Sequence, residues 1–319
     1  MENSMEKIRL GISSCLLGEN VRYDGGHRHD RFLTDTLGRY VEYIPVCPEV
    51  GCGLPVPREA MRLEGDTDSP RLMTIRTRQD MTERMEVWSK QRVKGLEKEG
   101  LCGFIFKSDS PSSGMERVKV YNEKGVPIKR GVGMFARIFM KHFPSLPVED
   151  DGRLNDPVLR ENFIERIFVL KRWRELIMGR ESRGRLVDFH ARHKLLILSH
   201  SPRHYQSMGR LIAKANELPI KELCAQYQSI LMEALLVKAT PKKNANVLMH
   251  MMGYFKKELT SGEKQELLDL INNYQEGRFP LIVPVTLIRH YVRKYNQPYL
   301  KEQIYLNPHP LELQLRNHV

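Results

Sequence analysis

Two thiols, a carboxylate and a run of hydroxyls stand in three short stretches of this chain: Ser14-Cys15-Leu16-Leu17-Gly18, Val46-Cys47-Pro48-Glu49 and Lys107-Ser108-Asp109-Ser110-Pro111-Ser112-Ser113-Gly114. A thiolate is a nucleophile and a soft metal ligand, and a neighbouring carboxylate moves protons. Cys15 and Cys47 are 32 positions apart and lack the close Cys/His pairing of ordinary zinc sites, which disfavours zinc. A papain-like thiol needs an orienting histidine, and His27 or His29 would supply it only through the tertiary fold. Spacing alone leaves a nucleophilic thiol and an iron–sulfur site both open.

Each stretch follows an apolar run that reads as a buried strand: Ile8 to Ile12, Tyr43 to Val46 and Gly103 to Phe106. Chain leaving the carboxyl ends of parallel strands converges on one crevice, so residues distant in sequence are expected to share a site. Between the second and third runs, Met85, Trp88, Val93 and Leu96 sit near helical spacing from Thr82 to Glu99, with Gly100 as a stop. Val118 to Tyr121 reads as a further strand, and Gly133 to His142 as a helix. Asp24-Gly25-Gly26 reads first as a tight turn. The expected fold is an α/β domain over 1–150 with a parallel, Rossmann-like three-layer sheet.

From Pro144 to Pro157 the chain is rich in turn residues and reads as a connector. Beyond it the pattern is almost wholly helical, which predicts a helical connecting segment over 151–185 and an all-α domain over 186–319.

With 319 residues, 41% of them hydrophobic, the chain can bury at least one full core, and its length favours two domains. No run approaches a membrane span and the first residues lack a secretion signal, so a cytoplasmic location without membrane contact is expected. Five cysteines without regular spacing argue against a disulfide framework and leave reduced thiols. The net charge of +12 is uneven: residues 155–319 hold 26 Lys and Arg against 16 Asp and Glu. A field of that sign attracts RNA or another polyanion, and a polyanion-binding protein with a degenerate or sensory first domain is the alternative to an enzyme.

The first two motifs, with Val21-Arg22-Tyr23-Asp24-Gly25-Gly26-His27 and Gly53-Leu54-Pro55-Val56-Pro57-Arg58, and then Ser110-Pro111-Ser112, resemble the thiouracil desulfidase (TudS-like) family over roughly residues 6–145. The stretch from Leu186 through Phe189-His190-Ala191-Arg192-His193-Lys194 to Leu306-Asn307-Pro308-His309-Pro310 resembles the YbgA-like domain, for which the resemblance supplies no function. Together they look like the long, fused form of the family.

The first resemblance implies a [4Fe-4S] cluster held by three cysteines, its fourth iron open to sulfur from a thiolated pyrimidine, either thiouracil or a thiolated nucleotide. Cys15 and Cys47 match two ligands, Glu49 a proton shuttle, and Ser110 a substrate- or water-binding hydroxyl. Arg22, Asp24 and Arg58 are candidate substrate contacts, Arg58 also as a partner of Glu49. The family pattern ends Ser-Pro-Ser-Cys-Gly, and this chain has Ser113 at the cysteine position. The third ligand is then Ser113 as an alkoxide, Cys52 or, least favoured, Cys102, with Cys52 preferred; the remaining alternative is a lost cluster with altered activity.

His190, His193, His200 and His204, with Asp188 beside them, carry helical metal-site spacing. Amid Arg192, Lys194 and Arg203 they read as polar or anion-contacting residues, and Cys224 as a small core residue.

Overall fold

The computed structural model describes residues 7–179 and 182–318. Its contacts divide the chain into two compact units, Met1–Asp156 and Pro157–Val319.

Among the described residues, eight strands run through the first unit: β1 (Ile8–Ser13), β2 (Val41–Val46), β3 (Met61–Glu64), β4 (Arg71–Thr74), β5 (Gly103–Phe106), β6 (Val118–Tyr121), β7 (Pro127–Gly131) and β8 (Val148–Asp150). Helices α1 (Pro48–Gly51), α2 (Thr82–Glu97) and α3 (Met134–His142) interrupt them. One sheet, ordered β2-β1-β5-β8, is parallel throughout. Its central strands are nearly continuous apolar runs because both faces are covered. On one side α3 turns Met134, Phe135 and Phe139 inward, and the Phe139 ring centroid lies 4.6 Å from that of Phe104 on β5. The α/β character and the three anticipated strands of this sheet are present, together with β8 inside the stretch read as a connector.

A second sheet, β4-β3-β6-β7, is absent from the sequence reading except for β6. Its β3 and β6 are parallel, while β3–β4 and β6–β7 are antiparallel. Strands β3, β4 and β7 are short and carry Arg62, Glu64, Arg71, Lys129 and Arg130, so their apolar signal is faint. Leu63, Leu72, Val118 and Val120 still form a core with Met81, Met85 and Met134.

The second unit is helical: α4 (Pro157–Met178), α5 (Arg183–His200), α6 (Pro202–Ala213), α7 (Ile220–Leu236), α8 (Pro241–Met252), α9 (Ser261–Gln275), α10 (Ile282–Lys294) and α11 (Pro298–Lys301). Ser182, Ser201 and Thr240 cap α5, α6 and α8, and Thr260 with Glu263 forms a capping box on α9. The segment read as a connector over 151–185 divides at Asp156, and α4 belongs to the core of the helical unit. There Trp173 is fully buried and stacks on Tyr227 at 5.2 Å. Buried Glu165 accepts from Arg316 Nη2 at 2.9 Å and lies 3.0 Å from His200 Nε2, and Arg316 Nε reaches Glu161 at 3.1 Å. Among the described residues, no helix is long and apolar enough to cross a membrane.

A candidate active site at the strand ends

The parallel register aligns Ser13 with Val46 and Ile12 with Ile105, so β1, β2 and β5 end at one edge of the sheet. Beyond β1 the chain enters a short 3-10 turn, Ser14–Leu17, closed by Gly18 in the left-handed region at φ 90°. Beyond β2, Cys47 precedes the single turn of α1, with Pro48 at its start and Glu49 in its first turn. Beyond β5 comes the serine loop.

That loop is held by α3. The first N–H groups of a helix have no partner within it. Here the N–H of Met134 donates to the carbonyl of Pro111 at 3.1 Å and that of Phe135 to the carbonyl of Ser112 at 2.9 Å, while Gly133 N donates to Gly114 O at 2.7 Å. A Cβ at Gly133 would come within 2.6 Å of the Ser112 carbonyl, so only glycine allows this approach.

The three segments enclose a cavity of about 430 Å³ whose lining includes Cys15, Cys47, Glu49, Ser110 and Ser113. Arg22 and Arg58 line it as well. Glu49 is the junction: its Oε1 accepts from Ser112 Oγ at 2.6 Å, and Cys47 Sγ donates to Oε2 at 3.5 Å. Ser112 Oγ is 3.0 Å from Ser110 Oγ, which accepts from the N–H of Ser113 at 3.1 Å. The guanidinium of Arg58 is nearly buried, donates to the Val21 carbonyl at 2.9 Å and holds Nη2 3.8 Å from Glu49 Oε2.

Burial pushes both thiols up. Cys15 rises to about 11, a shift opposed by the charges of Lys107 and Arg22. Cys47 rises to about 12, from burial first and then the Glu49 charge. Both are therefore protonated at neutral pH, and a metal would have to displace the protons to gain thiolate ligands.

Three candidates lie apart from this cavity. Cys52 donates its Sγ–H to the Glu49 carbonyl at 3.2 Å and lines a separate surface depression with Gly51, Gly53, Arg84 and Trp88. One turn of α1 separates it from Cys47, and the backbone is fixed there by the bond from Cys52 N to Pro48 O at 2.9 Å. The preferred third donor is thus not brought to the other two, whereas Ser113 is. Asp24 is exposed, accepting from Gly26 N at 3.1 Å and pairing with Arg22 at 3.5 Å. Cys102 is buried just before β5, at the opposite end of that strand from the cavity.

The sequence assigned no role to other residues that line the cavity or hold its lining in place. Lys107 Nζ pairs with Asp151 at 2.8 Å and bonds Ser108 Oγ at 2.9 Å, and the Lys107 N–H donates to Ser13 Oγ at 2.9 Å. Lys107 opens the third motif, but Asp151 lay in the acidic stretch read as a connector. Ser112 stands inside the third motif, where its type alone assigns it no role. The four histidines of the helical unit have separate partners: Tyr227 for His190, Phe189 O for His193, Glu165 for His200 and Ser201 for His204.

Thiols and a carboxylate gathered at the carboxyl ends of a parallel sheet define an α/β domain equipped for thiol or metal chemistry. A family model described as 2-thiouracil desulfurase matches residues 10–151, and one described as a protein of unknown function (DUF1722) matches residues 194–310. The chain is 35% identical over 153 residues to the uncharacterized protein YbgA of Escherichia coli (strain K12), covering 48% of this chain and 90% of that relative. A solved structure described as the [4Fe-4S]-dependent thiouracil desulfidase TudS is 28% identical, covering 48% of this chain and 95% of its own, with a TM-score of 0.39. The chain belongs to the YbgA family, and joins a TudS-like domain to a YbgA-like one. The desulfurase match supports a desulfidase-type enzyme. None of these relatives is described by a nucleic acid, so the RNA expectation rests on charge alone.

Proposed function

We propose that the strand-end cavity is the active site of a desulfidase that replaces the sulfur of a thiolated pyrimidine with oxygen from water. The substrate is thiouracil or a thiolated nucleotide. The reaction balances as C=S plus water giving C=O plus hydrogen sulfide, with no net oxidation. The carrying observation is that Cys15, Cys47, Glu49, Ser110 and Ser113 line one cavity. The desulfurase family match supports the same chemistry.

The donor set there is two thiols and one hydroxyl. Cys15 and Cys47 suit iron as soft donors, while Ser113, a harder donor, fits as an alkoxide. A [4Fe-4S] cluster held by these three residues would supply a Lewis-acidic iron for the sulfur of the substrate. Glu49 then serves as the proton shuttle, accepting a proton from attacking water through Oε2, the oxygen not engaged by Ser112. Ser112 fixes the rotamer of Glu49, and Ser110 presents its hydroxyl to the cavity. Arg58 holds a positive charge against the carboxylate and helps to orient it, and Arg22 supplies a donor to the base oxygen.

Iron and acid-labile sulfide are to be quantified after anaerobic reconstitution of wild type, Ser113→Cys and Cys52→Ser. The expected result is cluster in the wild type, firmer retention in Ser113→Cys and no loss in Cys52→Ser. Under about one iron per chain in both wild type and Ser113→Cys would overturn the cluster reading.

A further inference from the structure

The helical unit contains a cavity of about 350 Å³ whose lining includes Arg172, Glu175, Arg185, Asp188, Arg192 and His193. Three guanidinium groups against two carboxylates leave this lining net positive. Two of its groups are left with unanswered hydrogen-bonding capacity.

The first is Arg172, on α4. Its Nη2 donates to the Pro308 carbonyl, but Nη1 is shielded from water and has no hydrogen-bond partner among the described residues. Burial pulls its pKa down to about 10, the mark of a cation that lacks solvation. A buried cationic donor without an acceptor is costly, and an anionic oxygen is what answers it.

The second is His193, on α5, only 3% exposed. Its Nδ1 lies 2.8 Å from the carbonyl oxygen of Phe189, and its ring stacks on that of Phe189. A carbonyl oxygen only accepts, so Nδ1 carries the proton and Nε2 presents a bare lone pair. Nε2 has no partner among the described residues. Burial, and then the charge of Arg172, holds this imidazole neutral, with its pKa lowered to about 3.

Both residues line the cavity, so a charged donor and a neutral acceptor stand within its wall. A fully deprotonated oxyanion satisfies the donor and leaves the acceptor empty. An oxyanion that retains a proton satisfies both. We propose that this cavity binds a protonated phosphate, either inorganic phosphate or a monoester, with Arg172 donating to an anionic oxygen and His193 Nε2 accepting from the P–O–H group. Arg185 and Arg192 contribute positive charge around it. Glu175 and Asp188 limit the net charge and so favour a singly protonated ion over a more highly charged one. A phosphodiester chain has no P–O–H proton to give, which argues for a small ligand.

The full-length protein is to be titrated calorimetrically with inorganic phosphate and with sulfate, at equal ionic strength and neutral pH. Sulfate has the same shape but no proton, so phosphate should bind at least about tenfold more tightly. His193→Phe keeps the stacking and should bind the two ions equally, whereas Arg172→Met should bind neither; far-UV circular dichroism checks that both variants fold. The phosphate-to-sulfate ratio of the wild type tests the proposal even if a variant fails to fold. Methyl phosphate binding as well as inorganic phosphate assigns the monoester, and its exclusion assigns the free ion; either supports the site. Absence of phosphate binding, equal binding of sulfate or of dimethyl phosphate by the wild type, or an undiminished phosphate preference in folded His193→Phe overturns it.

Discussion

Ser112 Oγ lies 2.6 Å from Glu49 Oε1, a hydrogen bond that joins the loop after β5 to the turn after β2 across 63 positions of sequence. Ser112 is fully buried, so its hydroxyl has a fixed partner. Replacing it by alanine is expected to free the Glu49 carboxylate and lower kcat for sulfide release by about tenfold to a hundredfold, while iron content stays unchanged. Glu49→Gln should lose more, about a hundredfold or beyond. A Ser112→Ala enzyme of normal activity would remove Ser112 from the positioning of Glu49.

The contact between Gly133 and the serine loop leads to a stability prediction. Gly133→Ala forces a methyl group against the Ser112 carbonyl and is expected to destabilise by about 1–3 kcal/mol in denaturant unfolding. Gly184, on α5, meets nothing within 4 Å, so Gly184→Ala is the control and should be neutral or stabilising by up to about 1 kcal/mol.

Acid should weaken the second sheet through Glu64. Its carboxyl is lowered to about 2, first by the hydrogen bond from Arg78, against an opposing effect of burial, and then by Arg62. Because the folded value lies below the unfolded one, the stabilisation is present above about pH 4.3 and lost as pH falls toward 2. Thermal unfolding followed between pH 5 and pH 2 should show a steeper decline in wild type than in Glu64→Gln.

In the helical unit, Arg316 serves two carboxylates, Glu161 and Glu165, from a position only 5% exposed. Arg316→Ala leaves them facing each other in a buried setting and should cost about 3–5 kcal/mol. Unfolding at neutral pH measures it, and a loss below about 1 kcal/mol would mean that water or repacking replaces the guanidinium.

The apolar runs ending at Ile12, Val46 and Phe106 made the parallel sheet legible, because strands covered on both faces write continuous hydrophobic stretches. The second sheet was not legible: β7 reads Pro-Ile-Lys-Arg-Gly, with four of its five residues exposed, and pairs only at an edge. Cys15, Cys47, Glu49 and Ser110 stood out by residue type and resemblance. Lys107 and Asp151 meet only because β5 and β8 are neighbours, a pairing no local pattern announces. The separation of Cys52 from Cys47 likewise depends on the single turn of α1, which four residues of sequence signal too weakly.

The most direct test of the account is the stoichiometry of uracil and sulfide formed from 2-thiouracil by anaerobically reconstituted protein, wild type beside Cys47→Ala. The account predicts equal amounts of uracil and sulfide over multiple turnovers in the wild type and none above background in the variant. Absence of sulfide from iron-loaded wild type, or undiminished turnover in Cys47→Ala, would contradict it.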